Sequence, residues 1–176
     1  MTAVRGGAAA VCPPLRRVAA GDAARRTTPL GAVAKGVVAG AAGAGAMTAY
    51  QLAVAKAMGS GSSYTPAEVG KRVIEGVLGR QVPEERMETL NNVVHALYGT
   101  SWGPVYGLVQ SSLRLRRARH GVAFAALVWG ASLGELPALG LAPPVWEMPP
   151  QTVALDFSYH LVYGLAVAGA YGVLGD

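Results

Sequence analysis

The sequence predicts an all-α, polytopic membrane protein with four transmembrane helices and a short amphipathic interfacial helix in the first connection. Three observations carry this. Hydrophobic residues are 52% of the 176 and charged residues 14%, where an average soluble domain holds about 25% charged, and the mean hydropathy is +0.33. The charges are clumped, leaving long uncharged runs between them. The basic residues also gather at alternate connections, which is a topology signal.

Residues 1–29 are rich in Ala, Arg, Gly and Pro, hold one acid (Asp22) and show no helical spacing of apolar residues. They read as a flexible cytoplasmic tail, although an acid-poor, Arg-containing composition also fits an organellar transit peptide. Residues 30–176 are expected to form the transmembrane domain. Its first span, about residues 33–57, is centred on GVVAGAAGAGAMTAYQLAVA, 20 uncharged residues from Gly36 to Ala55. At about 1.5 Å per residue this covers the roughly 30 Å hydrocarbon layer. Gly36, Gly40 and Ala44 recur every four residues and would let another helix approach the backbone closely.

Thr65, Pro66 and Glu68 form a capping box with proline at the first helical position. Val69, Val73, Ile74, Val77 and Leu78 then recur at helical spacing opposite Lys71, Arg72 and Glu75, the pattern of a helix lying at a membrane surface. Pro83, Glu84 and Glu85 start the next helix. The second span, about 88–112, has no charge from Thr89 to Leu113, and Pro104 inside it predicts a kink. The third, about 121–141, has 14 uncharged residues before Glu135, so a full crossing places that glutamate buried within the span. The fourth runs from about 153 to 174.

Orientation follows from the basic residues. Arg5, Arg16, Arg17, Arg25, Arg26 and then Arg114, Arg116, Arg117, Arg119 occupy the tail and second connection, against Lys71, Arg72, Arg80 and Arg86 in the first and third. Both termini are therefore expected in the cytoplasm, with the protein in the plasma (inner) membrane. The positive charge has lipid phosphates to meet, so nucleic acid is not expected as a partner.

The second and fourth spans share a pattern. HALYGTSWGPVYG (His95–Gly107) and HLVYGLAVAGAYG (His160–Gly172) both read His-x-x-Tyr-Gly-x-x-x-x-x-x-Tyr-Gly. On a helix these residues share one half of the surface, giving stripes of small residues, Gly99, Gly103 and Gly107 in one copy and Gly164, Ala168 and Gly172 in the other. With two such spans running in the same direction, His95 and His160 lie at matching depth near the outer end. Glu135 lies at that end of the third span, and Asp156 one turn before His160. Ionisable groups at such depth are costly and tend to face a cavity or one another. The candidate ligand-binding residues are therefore His95, His160 and Glu135, with Asp156, Tyr98 and Tyr163 around them. Such a site would suit protons, a small polar solute or a divalent metal. The histidine pair would also suit the axial positions of a b-type haem.

No nucleophile elbow, phosphate loop or metalloprotease motif is present in the sequence, so no catalytic residue is assigned. GAAGAG in the first span belongs to helix packing, since no strand precedes it. The lone Cys12 cannot form an intramolecular disulfide.

The Gly/Ala-rich first span, the second with His95, Tyr98, Gly99, Tyr106 and Gly107, the third with Trp129 followed by LPALGLAPP, and the fourth with HLVYG together resemble the YagU-like family of small bacterial membrane proteins. The resemblance covers about residues 30–174. It implies a four-helix inner-membrane protein and carries over no catalytic residue. Two kinds of function remain: handling of protons or a small ligand at the outer polar site, or an accessory or scaffold role in which the glycine faces meet a partner membrane protein or a second copy.

Overall fold

The computed structural model describes the backbone of residues 28–59, 65–113 and 117–175, and their side chains except those of 113, 117 and 118. The tail proposed for residues 1–29 lies outside the described residues up to position 27. The described part is all-helical, with no strand: α1 Pro29–Met58, α2 Thr65–Leu78, α3 Met87–Leu113, α4 Arg117–Ala138 and α5 Pro150–Val173. Two 3-10 turns, Glu84–Arg86 and Val145–Glu147, precede α3 and α5.

Local chemistry sets these limits. α1 starts earlier than its apolar run because Thr28 caps it, its hydroxyl accepting from the Gly31 N–H at 3.1 Å, with Pro29 at the first helical position. It ends at Gly59, which takes the left-handed conformation (φ 63°) that glycine adopts without penalty. α4 stops at Ala138 because Gly140 is also left-handed, with Leu141 N–H bonded to Leu136 O and Gly140 N–H to Pro137 O. α3 runs on through Pro104.

α1, α3, α4 and α5 form an up-and-down bundle in which α1 packs on α3 and α5, and α5 on α4. Residue pairs give the directions. Ala32 meets Gly107 while Ala44 meets Gly99, so α1 and α3 are antiparallel. Gly43 meets Val167 and Tyr163, and Tyr50 stacks edge-on to Tyr159, so α1 and α5 are antiparallel too. α3 and α4 approach less closely, and aromatic rings fill the seam between them: Phe124 lies 5.0 Å from Tyr106 and 6.4 Å from Trp102. Tyr163, Val167 and Tyr171 complete this core.

Two of the contacts show why the helices need glycine. An added Cβ at Gly36 would collide with the Gly103 carbonyl, and one at Gly103 with the Gly36 carbonyl. On the other side of the bundle, a Cβ at Gly164 would collide with the Gly121 carbonyl and lie 2.7 Å from the Ala125 Cβ. Each pair of helices is thus zipped backbone to backbone, with glycine Cα–H groups directed at carbonyl oxygens. Pro104 contributes as well. It has no N–H, so the Thr100 carbonyl loses its intrahelical donor. That oxygen faces Gly40, where an added Cβ would sit 2.9 Å away.

α2 lies against the start of α3. Ala67 and Gly70 are buried on Leu90 and Val94, and Asn91 accepts from the Ala67 N–H at 3.2 Å. Arg72 donates to the Leu139 carbonyl, tying α2 to the end of α4. Lys71 pairs with Glu84 at 3.4 Å, and that hydrogen bond, then the Glu84 charge, raises the Lys71 pKa. The pairing is therefore complete below the ordinary lysine range and lost as pH rises through the raised value.

Among the described residues, three helices are long and apolar enough to cross a membrane: Pro29–Met58, Arg119–Ala138 and Pro150–Val173. α3 has the length, at 27 residues, but Asn, Ser, Thr, His and Gln lower its apolar character.

Candidate functional site

The six candidate residues all lie toward the α2 end of the bundle, and the structure sorts them into pairs. His95 and Tyr98 come from α3, Glu135 from α4, and Asp156, His160 and Tyr163 from α5. The Tyr98 hydroxyl donates to Glu135 Oε2 at 2.8 Å, bridging α3 and α4. Asp156 Oδ2 accepts from the Trp129 indole N–H at 2.9 Å, joining α5 to α4. The Tyr163 hydroxyl donates to the Gly99 carbonyl at 2.6 Å, joining α5 to α3.

The two histidines differ. His160 is buried, and its Nδ1 lies 3.0 Å from the Asp156 carbonyl and 3.9 Å from the Asp156 carboxylate. A carbonyl only accepts, so Nδ1 carries the proton and Nε2 is the basic nitrogen. His95 sits within electrostatic reach of His160 but makes no hydrogen bond among the described residues. The repeat therefore places one imidazole on each of the parallel helices α3 and α5, one oriented by the backbone and one without a hydrogen bond among the described residues.

Glu135 falls within the candidate span Arg119–Ala138 and is exposed on the surface of the bundle. The left-handed Gly140 ends α4 three residues beyond it, so the glutamate lies in the last turn, where no further helix covers it. Asp156 is in the second turn of α5, because Pro150 starts that helix earlier than the apolar run does. Its place is explained by the Trp129 indole, a partner that no periodicity in the sequence announces.

The repeated tyrosines act in concert. Tyr171 reaches the Gly107 carbonyl at 3.4 Å as Tyr163 reaches Gly99. Second-copy tyrosines thus grip the Tyr-Gly glycines of the first. Tyr163→Phe removes one such bond without leaving a buried donor unpaired, so a loss of about 0.5–1.5 kcal/mol is expected. Urea unfolding in detergent micelles measures it.

The packing glycines face inward. Gly36, Gly40, Gly99, Gly103 and Gly107 join α1 to α3, and Gly164 and Ala168 join α5 to α4 around Gly121. Gly172 is half-buried near the end of α5. These stripes are occupied within the chain, so a partner protein would have to use other surfaces.

Elsewhere, the His120 Nδ1–H donates to the Gln110 side-chain oxygen, at the opposite end of the bundle from the candidate site. Among the described residues no group of three or more His, Cys, Asp or Glu side chains is placed to share a metal ion. Comparison with protein-family models, with curated proteins and with solved structures finds no match to the chain.

Proposed function

We propose that this is a four-span inner-membrane protein of the YagU-like kind that passes protons, or binds a small polar solute, at an outer site built from His95, His160 and Glu135. The observation that carries the reading is the histidine pair: two imidazoles on parallel helices, one fixed by the Asp156 carbonyl and the other without a hydrogen bond among the described residues. Imidazole suits a proton relay because one ring nitrogen can donate while the other accepts. Glu135, exposed and held by Tyr98, which lies three residues along α3 from His95, supplies a carboxylate at the mouth of the α3/α4 seam.

α3 serves as the fourth span in this reading. It lies along α1 from Gly99 opposite Ala44 to Gly107 opposite Ala32, about 12 Å along α3 at 1.5 Å per residue. A helix zipped to a spanning helix over that length enters the same layer. Its polar groups are largely satisfied internally: Asn91 by α2, Ser101 by the Tyr98 carbonyl, Ser111 and Ser112 by the Leu108 carbonyl. Its outward face carries Val93, Leu97, Val105, Leu108 and Val109. α2 has part of its apolar side on α3 and leaves Val73, Val77 and Leu78 exposed, which suits the bilayer surface. Both termini then lie in the cytoplasm by the distribution of arginine.

The test is flux in proteoliposomes under an imposed pH gradient, reported by an internal dye. His95→Ala and Glu135→Gln are expected to lower flux by about tenfold or more while the fold survives, as removal of a positioned proton carrier does. Unchanged flux in folded His95→Ala, His160→Ala and Glu135→Gln proteins would refute the site.

A further inference from the structure

Trp146 belongs to no site described so far, and its placement is unusual. It is 81% exposed, whereas Trp102 and Trp129 are half-buried between helices. A mobile loop would hide a side chain of this size only part of the time, but this connection is held. The Glu147 N–H bonds to the Pro144 carbonyl at 2.9 Å and the Met148 N–H to the Val145 carbonyl at 3.2 Å, while Pro143, Pro144, Pro149 and Pro150 fix the backbone on both sides. The turn thus holds the indole outward.

We infer that the Val145–Glu147 turn anchors the α2 end of the bundle in the lipid headgroup layer, with the Trp146 indole as the contact. This rests on the membrane reading above. Indole suits that layer because its ring is apolar and its N–H seeks an oxygen acceptor, which lipid ester and phosphate groups provide. The neighbouring Glu147 is exposed and stays in water, which keeps the turn shallow. Exposed Leu139 at the end of α4, and Val73, Val77 and Leu78 on α2, which Arg72 ties to that same end, continue the apolar surface toward the turn. A protein partner fits less well: Val145 and Met148 beside the indole are half-buried, so the turn offers one side chain where a stable interface needs about 20 residues a side.

The experiment uses the full chain in phosphatidylcholine and phosphatidylglycerol vesicles containing brominated lipids, with the emission lost on Trp146→Ala taken as that of Trp146. Bromines near the headgroup end of the acyl chain should remove most of that emission, and aqueous iodide little. Quenching by iodide alone would place the indole in water, and quenching by neither would place it under protein; each result overturns the anchor. The emission remaining in Trp146→Ala, from Trp102 and Trp129, reports on the membrane reading separately. If deep bromines quench it while Trp146 is untouched, the anchor alone fails. If bromines at no depth quench any of the three, the membrane reading fails with it.

Discussion

Replacing Gly103 with leucine is expected to drive α3 off α1 and to cost about 3 kcal/mol or more, at or beyond the usual range for overpacking. The size follows from what the new side chain would meet. Most overpacked sites press on the ends of flexible side chains, which can turn aside. Here the first atoms encountered are the carbonyl and backbone of Gly36 and the Cα of Gly40, so a whole helix must move. Gly45→Ala is the matched control, since nothing lies within 4 Å of a Cβ there. Thermal melts in detergent should show Gly103→Leu strongly destabilised or unfolded and Gly45→Ala unchanged or more stable. Equal melting of the two would mean that the glycine zipper does not hold the helices.

Gly164→Leu is the second large effect, and it should act on the other half of the bundle. Its Cβ would strike the Gly121 carbonyl and the Ala125 backbone, forcing α4 from α5. That seam has its own reporter, because the Trp129 indole reaches across it to Asp156. Separation should expose the indole and shift its emission to longer wavelength, with destabilisation again of about 3 kcal/mol. Gly103→Leu, acting across the bundle, should disturb Trp102 on α3 first. If Gly164→Leu leaves Trp129 emission in place, the α4/α5 contact is looser than its geometry indicates.

These two variants also show how much was legible beforehand. The stripes Gly99-Gly103-Gly107 and Gly164-Ala168 could be read from spacing alone, because helical periodicity puts every fourth residue on one face. Which stripe meets which could not, since that depends on helix order in space. Structure pairs Gly103 with Gly36 and Gly164 with Gly121, so α4 plays toward α5 the part α1 plays toward α3. The poor match between the α1 and α4 sequences hid this, because only their small residues need agree.

The helix ends divide in the same way. Thr65-Pro66 announced α2, and the same pair at Thr28-Pro29 starts α1, seven residues before the uncharged run begins at Gly36. The end of α4 depended on Gly140 adopting positive φ, which composition permits without requiring, and it sets Glu135 in the last turn. Of the candidate site, the histidine pair was visible as a repeat. The bonds from Tyr98 to Glu135 and from Trp129 to Asp156 join residues 37 and 27 apart on different helices, which no local pattern encodes.

In the proposed topology α3 crosses the membrane with its three more apolar neighbours. Single cysteines at Glu85, just before α3, and at Arg119, early in α4, test it in a Cys12→Ser background; both positions are exposed in the fold. A crossing by α3 puts the two on opposite faces, so a membrane-impermeant maleimide added to intact cells should label the cysteine at 85 and spare the one at 119. Labelling of both from the same side would mean that α3 does not span.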